Sequence, residues 1–204
     1  MSVSVPAQTT PLKVALIGNP NTGKSTLFNG LSGGKARIGN YPGVTVEKKS
    51  ALIKGDSQPI LLIDLPGTYS LAPRSLDEMV AVNLLLGRQP DIGSPDCVIC
   101  IVDASNLERN LYLVTQVLDI GLPTILVLNM WDVAQQRGIE INLDQLRQRF
   151  NIPIVTATGH RKLGLSDIRA ELERIKSSPS RTPGPEFPAA FQSELASLRS
   201  FFEK

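Results

Sequence analysis

Short apolar runs, each bounded by glycine, proline or polar residues, recur along most of the chain. Runs of this length and composition are typical of buried β-strands. We therefore predict six strands, at Leu12–Ile17, Val46–Ile53, Ile60–Ile63, Cys97–Val102, Thr124–Leu128 and Ile154–Thr156. The second and third strands are joined by Lys54-Gly55-Asp56-Ser57, which has the composition of a hairpin turn.

Segments with helical periodicity separate these strands. They are predicted to be helices at Lys24–Leu31, from Ser75 to near Gly87, at Asn106–Ile120 and at Ser166–Ile175. Ser75 and Glu78 have the spacing of a capping box, which marks the start of the second helix. Apolar strands that alternate with helices indicate an α/β fold, with a six-stranded, mostly parallel sheet and helices flanking both faces.

The same pattern divides the chain into four parts. Residues 1–11 are polar and form a predicted flexible lead-in, and residues 12–176 form the predicted domain. Serine and proline crowd residues 177–186, which indicates a linker. In residues 187–204, apolar side chains recur at helical spacing, at Phe187, Phe191, Leu195, Leu198 and Phe202. Because such a stripe must be buried against something, we expect this helix to begin a further domain that the chain does not include.

Composition and charge are those of a soluble globular protein. Hydrophobic residues make up 42% and charged residues 20% of the 204 residues, and the formal net charge is +2. A charge this small does not favour a nucleic-acid partner. No apolar run approaches the ~18 residues that cross a bilayer, and two cysteines do not imply a disulfide framework. We therefore expect a cytosolic, reducing location.

The loop after the first predicted strand fits the phosphate-binding pattern G-x-x-x-x-G-K-[ST]. Its residues are Gly18-Asn19-Pro20-Asn21-Thr22-Gly23-Lys24-Ser25, and Thr26 follows them. Glycines let backbone N–H groups wrap a phosphate, and the helix that follows adds the positive end of its dipole. Lys24 supplies a point charge to the outer phosphates, and Ser25 offers a hydroxyl to Mg²⁺. The motif predicts a P-loop NTPase of the Ras-like class.

A second motif, Asp64-Leu65-Pro66-Gly67, follows the third predicted strand. Asp64 can hold Mg²⁺ through a water molecule, and the Gly67 N–H can meet a γ-phosphate. The pattern D-x-x-G is weak alone, because many turns share it, but it is strong after a phosphate loop. The next residue is Thr68, where Ras-like enzymes carry a glutamine that orients the attacking water. The absence of this glutamine predicts slow hydrolysis or another means of positioning the water.

Guanine recognition is predicted from Asn129-Met130-Trp131-Asp132, which follows the fifth strand. Asp132 can accept hydrogen bonds from guanine N1–H and the 2-amino group. Adenine does not present these donors, and a buried carboxylate facing adenine would remain unpaired. Met130 stands where the common N-K-x-D pattern has lysine, and its thioether can cover the base by dispersion. The loop Thr156-Ala157-Thr158 is expected to give a backbone N–H to guanine O6.

A segment rich in glycine, Gly33–Val44, is predicted to be a mobile loop. Thr45 follows this segment and is the candidate for the switch threonine that joins Mg²⁺ when a γ-phosphate is present, with Gly43 and Val44 beside the nucleotide. The alternative is a threonine that only begins the next strand. Lys24, Asn21, Thr45 and Gly67 are the residues predicted to take part directly in hydrolysis.

Taken together, these motifs resemble the N-terminal cytosolic G domain of the ferrous iron transport protein B (FeoB) family. The stretches that carry the resemblance are GNPNTGKSTLFNGLSG from Gly18, GNYPGVTVEKKS from Gly39, DLPGTYSL from Asp64 and NMWD from Asn129. The second and third stretches are more specific than a general G-protein signature. The resemblance extends over about Lys13–Ile175.

This resemblance implies a GTPase domain that regulates or drives Fe²⁺ uptake, followed by helical and transmembrane domains as its partners in the same protein. It also implies a place on the cytoplasmic side of the bacterial inner membrane, with GTP or GDP, Mg²⁺ and K⁺ bound. Asn21 matches an asparagine that family members use for K⁺-stimulated hydrolysis. The alternative for Asn21 is an Asx turn that only supports the loop. Homo-oligomerisation is a further expectation.

Two other functions fit the motifs. One is a stand-alone GTPase of ribosome or tRNA maturation, although such proteins usually add a basic RNA-binding module. The other is a nucleotide-gated binding module without significant hydrolysis, an alternative that the missing glutamine supports.

The cysteines and the histidine are not predicted to bind a ligand. Cys97 and Cys100 are expected on opposite faces of a buried strand, and His160 is expected to be solvated.

Overall fold

A computed structural model of the chain describes residues 10–89 and 91–177. Most of the predicted lead-in lies outside the described residues. The predicted linker and the amphipathic helix of residues 187–204 lie outside them too, apart from Ser177. Among the described residues, no helix combines the length and the apolar character that crossing a bilayer requires.

The described part of the chain alternates strands and helices, as predicted. Its strands are β1 (Leu12–Gly18), β2 (Arg37–Asn40), β3 (Glu47–Ile53), β4 (Ile60–Asp64), β5 (Cys97–Asp103), β6 (Thr124–Asn129) and β7 (Ile154–Thr156). Its α-helices are α1 (Lys24–Ser32), α2 (Leu76–Leu85), α3 (Leu107–Asp119), α4 (Trp131–Gln136), α5 (Leu143–Phe150) and α6 (Leu165–Ser177). Two 3₁₀ turns, Ala104–Asn106 and Gly159–Arg161, complete the regular structure of this part.

One sheet holds all of these strands, in the order β2-β3-β4-β1-β5-β6-β7. Strands β4, β1, β5, β6 and β7 are parallel, and β3 runs antiparallel to both β2 and β4. Because parallel strands end at the same edge, Gly18, Asp64, Asn129 and Thr156 are brought to one side of the sheet. Ligands of open α/β folds bind at this edge, outside the carboxyl ends of the strands.

The prediction of six strands was wrong by one, because Arg37–Asn40 forms strand β2 inside the segment predicted to be a loop. Strand β2 pairs with β3 from Asn40 opposite Glu47 to Arg37 opposite Ser50. All its residues are exposed. An edge strand with no buried face carries no alternation of apolar and polar residues, so the hydrophobic pattern could not reveal it.

Two hydrophobic cores lie on opposite faces of the sheet. One packs β-strand side chains against α2 and α3, through residues such as Leu84 and Leu113. The other packs the opposite face against α1 and α6, through residues such as Phe28 and Leu172. Residues of β5 alternate between these cores, which confirms that Cys97 and Cys100 point to opposite faces. Burial raises the pKa of the Cys100 thiol to about 12, so this cysteine stays a protonated, inert core residue.

Side-chain hydrogen bonds set the start of helix α2. The Ser75 hydroxyl accepts a hydrogen bond from Glu78 N–H at 3.2 Å, as the predicted N-cap of α2 requires. The Glu78 carboxylate accepts a hydrogen bond from Arg74 N–H at 2.8 Å. Arg74 is one residue before the donor of a standard capping box.

Helices α4 and α5 were not predicted from the hydrophobic pattern. Helix α4 is short. Helix α5 carries an apolar stripe, Leu143, Leu146 and Phe150, which packs against the core while only partly buried, and the prediction missed it.

We predict that Phe28→Ala lowers the free energy of unfolding by about 3–5 kcal/mol, because it removes a buried ring and leaves a cavity. Phe28 is fully buried between α1 and the sheet. Urea denaturation followed by circular dichroism measures the change. Leu52→Ala is the matched control, since Leu52 is exposed on β3 and its loss is expected to change stability by less than about 0.5 kcal/mol. Equal losses for the two variants would contradict this account of the core.

Candidate functional site

The loop between β1 and α1 has the backbone geometry of a phosphate cradle. Gly23 has φ +80°, in the left-handed region, and a Cβ built at this position would lie 2.3 Å from Asn129 Nδ2. Glycine is therefore required at Gly23 for both the dihedral angle and the space. Asn21 also adopts a left-handed conformation, with φ 67°. These two positions bend the chain sharply just before the N-terminus of α1, where backbone N–H groups remain available to an anion.

A cleft of about 380 Å³ opens at this N-terminus. It brings together most of the predicted phosphate-loop residues with the glycine of the second motif, and it is lined by Asn19, Pro20, Asn21, Gly23, Lys24, Ser25, Thr26 and Gly67. Gly67 packs close to Pro20, since a Cβ on Gly67 would lie 3.3 Å from the Pro20 nitrogen. Gly18 and Thr22 are buried beneath the loop, and the Thr22 hydroxyl donates to the Asn19 carbonyl at 2.9 Å.

Lys24 and Asp64 form an ion pair at the floor of the site. Both side chains are largely buried, with 11% and 6% exposed. The ammonium group and the carboxylate thus satisfy one another within the protein. A buried charge left without a partner is costly, so each group needs a replacement partner before the pair can separate.

A second cavity, of about 320 Å³, shares Lys24 with the phosphate-loop cleft. Thr45 and Asp64 line this second cavity, whereas Ser25 lines the first. The three oxygen donors predicted for Mg²⁺ therefore border two adjoining spaces on either side of Lys24. Hydroxyl and carboxylate oxygens are the ligands that Mg²⁺ prefers, so the donor set fits the ion. Within the described residues there is no group of three or more His, Cys, Asp or Glu side chains that could hold a metal by themselves.

The segment that carries Thr45 is anchored by Tyr41. The Tyr41 ring is buried in the α2–α3 core, its N–H donates to the Val46 carbonyl at 3.0 Å, and its carbonyl accepts from Val44 N–H at 3.3 Å. Burial, with smaller contributions from nearby carboxylates including Asp64, raises the pKa of Tyr41 above its ordinary range. Gly43 is exposed, with φ +75°. Neither Gly43 nor Val44 lines the two cavities, so the structure brings only Thr45 of this predicted trio to the site.

Asn129 joins the phosphate loop to the loop after β7. Its Nδ2 group donates to the Thr22 carbonyl at 2.8 Å, and its Oδ1 accepts from Gly159 N–H at 3.0 Å. The side chain is buried, with 3% exposed. These bonds fix the separation between two loops that lie far apart in sequence.

Asp132 carries a buried polar atom without a partner. Its Oδ1 has no hydrogen-bond partner among the described residues. A buried carboxylate oxygen without a partner costs free energy, which a ligand with N–H donors would recover.

Met130, two residues before Asp132, has a left-handed backbone conformation, with φ 57°. Its Cε lies 3.8 Å from the position of a Cβ on Gly23, so its thioether extends toward the phosphate loop.

The loop Thr156-Ala157-Thr158, predicted to give an N–H to a base carbonyl, has N–H groups that are paired within the protein. Ala157 N–H donates to the Leu128 carbonyl at 2.8 Å and Thr158 N–H to the Leu163 carbonyl at 3.2 Å, so neither is free to meet a ligand in this arrangement. Thr156 lies in strand β7 itself. The residues that face the site are Gly159, through Asn129, and His160, whose Nε2 lies 3.5 Å from Asp132 Oδ2.

Sequence reasoning missed both of these residues. His160 is exposed, as expected, but its imidazole also contacts the carboxylate predicted to read the base. Gly159 lies beyond the end of β7, in a loop where a glycine gives no specific signal in the sequence. The structure shows why it matters, since a Cβ there would lie 3.3–3.4 Å from Leu27 and Asn129.

Thr68 is turned away from the cleft. Its side chain is fully buried, and its hydroxyl lies 2.6 Å from the Ser70 carbonyl and 3.1 Å from Glu78 Oε1. Its N–H donates to the Gly18 carbonyl at 3.2 Å, which fastens the second motif to the phosphate loop. The Thr68 side chain thus has a structural role and does not orient a water molecule in the cleft.

Comparisons with known proteins agree on one family. The family model described as ferrous iron transport protein B matches residues 12–172. The Fe(2+) transporter FeoB of Escherichia coli K12 is 43% identical over 171 residues, which are 82% of this chain and 22% of that protein. The chain therefore spans about a fifth of the length of the curated relatives it matches.

Solved structures give the same result at the level of the fold. The cytosolic domain of T. maritima FeoB in a GDP form is similar with a TM-score of 0.83 and 34% identity, over 96% of this chain and 74% of that one. The cytosolic domain of L. pneumophila FeoB is similar with a TM-score of 0.79 and 36% identity, over 92% of this chain and 78% of that one.

We predict that Asn129→Ala lowers the free energy of unfolding by about 1–3 kcal/mol, because it leaves the Thr22 carbonyl and the Gly159 N–H buried without partners. Hydrogen exchange of the Gly159 amide is expected to accelerate in the same variant. Urea denaturation and exchange measured by NMR test these effects. Asn29→Ala is the control, since Asn29 is exposed on α1. Unchanged exchange at Gly159 in Asn129→Ala would contradict the bridging role of Asn129.

Proposed function

This chain belongs to the ferrous iron transport protein B family, and from that premise we propose that it binds GTP and hydrolyses it slowly to GDP and phosphate. We further propose that nucleotide binding and hydrolysis regulate or drive Fe²⁺ uptake by a membrane transporter of which this chain is the G domain. The relatives in the comparison are Fe(2+) transporters, and one similar cytosolic domain was solved in a GDP form.

The observation that carries this proposal is the unpartnered Oδ1 of Asp132. Asp132 is tied to the phosphate cradle through Asn129, which immediately precedes the turn into α4. One ligand with a phosphate at one end and two adjacent N–H donors at the other would fill the phosphate cradle and pair with the Asp132 carboxylate. Guanine offers these donors at N1 and at the 2-amino group. Adenine has no hydrogen on N1, so its binding would leave the carboxylate unpaired.

Charge balance supports a triphosphate as the ligand of Lys24. The Lys24 ammonium group is paired with Asp64. Outer phosphate oxygens would replace Asp64 as partners of Lys24, and the hydrated cation that accompanies the nucleotide would replace Lys24 as the partner of Asp64. The exchange leaves no buried charge alone. We propose that Ser25, Thr45 and Asp64 serve Mg²⁺, with Asp64 acting through water. Mg²⁺ supplies neutralisation of the charge that develops on the phosphate oxygens.

Hydrolysis is expected to be slow because the residue after Gly67 does not orient water. The Thr68 hydroxyl is committed to Ser70 and Glu78. Positive charge near the phosphates is a separate requirement, which Lys24 and a further cation would meet. We propose that Asn21 supplies an oxygen to K⁺ at the rim of the cleft. The side chain of Asn21 makes no hydrogen bond within residues 10–89 and 91–177, so the Asx-turn alternative lacks the bond that defines it.

The remaining expectations belong to the whole protein. We propose that downstream helical and transmembrane domains of the same protein are the partners of this chain, at the cytoplasmic side of the bacterial inner membrane. Homo-oligomerisation is proposed with them, and a nucleic-acid partner is not. The small net charge of +2 supports the absence of a nucleic-acid partner from this proposal.

We predict that the wild-type chain prefers GDP to ADP and that Asp132→Asn weakens GDP binding by about 100-fold, because one acceptor becomes a donor facing guanine N–H groups. Isothermal titration calorimetry with Mg²⁺ measures both affinities. Asp144→Asn is the matched control, since Asp144 is exposed on α5. Full guanine selectivity in Asp132→Asn would refute the assignment of Asp132 as the base-reading residue.

We predict that GTP hydrolysis is at least about tenfold faster in K⁺ than in Na⁺, because a cation at Asn21 would act where an arginine finger otherwise places positive charge. Asn21→Ala should remove the difference while GDP affinity stays close to that of the wild type. Single-turnover assays with protein in excess measure the rates and separate slow chemistry from none. Equal rates in the two salts would overturn the K⁺ site, and no turnover in either would favour a nucleotide-gated binding module.

A further inference from the structure

Tyr41 attaches the segment that carries Thr45 to the hydrophobic core. Of residues 33–45, which all lie in the described part of the chain, Tyr41 alone is buried. Its side chain is 1% exposed and belongs to the core that includes residues of α2 and α3. The remaining residues of this segment have little contact with the core, so its position depends on one aromatic ring.

Backbone hydrogen bonds transmit the position of Tyr41 to Thr45. The Tyr41 N–H donates to the Val46 carbonyl at 3.0 Å, and the Tyr41 carbonyl accepts from Val44 N–H at 3.3 Å. The first bond continues the pairing of β2 with β3 beyond Asn40 and Glu47. Residues 42–45 alone lie between the two bonded positions. Thr45 therefore lies in a short closed loop whose place is set by the buried ring.

A cation and an ion pair also hold the ring in place. Lys48, on β3, has its Nζ 5.7 Å from the centroid of the Tyr41 ring, a distance at which a cation and an aromatic ring attract one another. The same Nζ lies 2.5 Å from Asp91 Oδ2. Because Asp91 belongs to the connection between α2 and β5, this pair ties β3 to that connection beside the ring.

The hydroxyl of Tyr41 contributes nothing visible to this anchoring. Its Oη atom is buried and has no hydrogen-bond partner among the described residues. A buried hydroxyl without a partner costs free energy. The apolar ring, rather than the hydroxyl, must therefore favour the buried position, and phenylalanine would serve there at least as well.

Thr45 is exposed, and it lines the cavity that Lys24 and Asp64 also border. A threonine on a free loop would have to be ordered as it joined Mg²⁺, and this ordering would lower the affinity for the ligand. We propose that Tyr41 is a positioning residue, whose buried ring holds Thr45 beside the metal position before the nucleotide arrives and thereby favours triphosphate over diphosphate. This inference rests on the proposed function, since it assumes that Thr45 meets Mg²⁺ when a γ-phosphate is present.

Binding of GDP and of a non-hydrolysable GTP analogue, each with Mg²⁺, tests the inference. The readout is the ratio of the GDP dissociation constant to that of the analogue, measured by isothermal titration calorimetry. Tyr41→Leu keeps an apolar side chain but removes the ring. It is expected to lower the ratio about tenfold, as it would if Thr45 were in place in only about a tenth of the molecules. GDP affinity should stay within about twofold of the wild type, because GDP does not need Thr45.

Two further variants separate positioning from general support of the fold. Tyr41→Phe keeps the ring, so its ratio should equal or exceed that of the wild type. Tyr41→Leu combined with Thr45→Ala should give the ratio of Thr45→Ala alone, because a ring that acts through Thr45 has no effect without it.

Leu126→Ala is the matched control for loss of packing. Leu126 is fully buried in the same core, on β6, with β4, β1 and β5 between it and β3. This variant should lower the urea midpoint of unfolding and leave the ratio unchanged.

Hydrogen exchange of the wild-type chain supplies a test that needs no variant. Without nucleotide, the Tyr41 amide should exchange at least about tenfold more slowly than the exposed Gly43 amide, because the ring holds its hydrogen bond closed. Equal exchange at the two amides, after correction for intrinsic rates, would overturn the inference.

An unchanged ratio in Tyr41→Leu would also overturn the inference and leave the proposed function standing. An equal fall in Leu126→Ala would do the same, because general loss of packing would explain both results. A further fall when Tyr41→Leu is added to Thr45→Ala, or a ratio for Tyr41→Phe as low as that for Tyr41→Leu, would contradict the role of the ring. Failure of the wild-type chain to bind either nucleotide would instead refute the proposed function, and the inference with it.

Discussion

The two hydrogen bonds of Asn129 are the constraint on which the site depends. They connect the Thr22 carbonyl to the Gly159 N–H through one buried side chain. The phosphate cradle and the base loop come from opposite ends of the domain, and each is a surface loop that could move alone. With Asn129 between them they form one rigid recess, whose length is set by a side chain rather than by loop flexibility. The neighbouring Gly23 leaves room for this bridge, because any Cβ there would collide with it.

The charged side chains at the two ends of this recess determine which ligand it favours. The ion pair of Lys24 with Asp64 keeps two buried charges satisfied, whereas Asp132 Oδ1 is an acceptor without a partner among the described residues. A ligand can offer new partners to Lys24 and Asp64 and can donate hydrogen bonds to Asp132. Such a ligand gains binding free energy at both ends of the site. This arrangement favours a guanine nucleotide with its metal ion over a simple phosphate, which would leave Asp132 as it is. The Thr68 hydroxyl is buried and committed to Ser70 and Glu78, which is the structural basis for the slow hydrolysis that we propose.

Much of this fold follows from sequence pattern because buried parallel strands are continuous apolar runs and the phosphate loop has a rigid signature. Strand β2 escaped prediction for the opposite reason, since its residues are all exposed and leave no hydrophobic period. Helix α5 was missed although Leu143, Leu146 and Phe150 form an apolar stripe, because the helix is short and its stripe is only partly buried. Roles for Asp64, Lys24 and Asp132 could be proposed from the sequence because the predicted chemistry requires those residue types. The roles of Gly159 and His160 could not, because they arise from the register between the end of β7 and a turn, which spacing alone does not determine. The donor predicted in Thr156–Thr158 stays a prediction, and the structure pairs the N–H groups of Ala157 and Thr158 within the protein.

The central claim is that one ligand spans the phosphate loop and the base loop. Its most direct test is NMR titration of the isotopically labelled chain with Mg²⁺ and GDP, followed at the backbone amides of Gly23, Lys24 and Gly159. The account predicts that all three signals shift and saturate at the same GDP concentration, and that ADP perturbs Gly159 far less. Separate saturation of the two loops, or identical shifts with ADP and GDP, would contradict it.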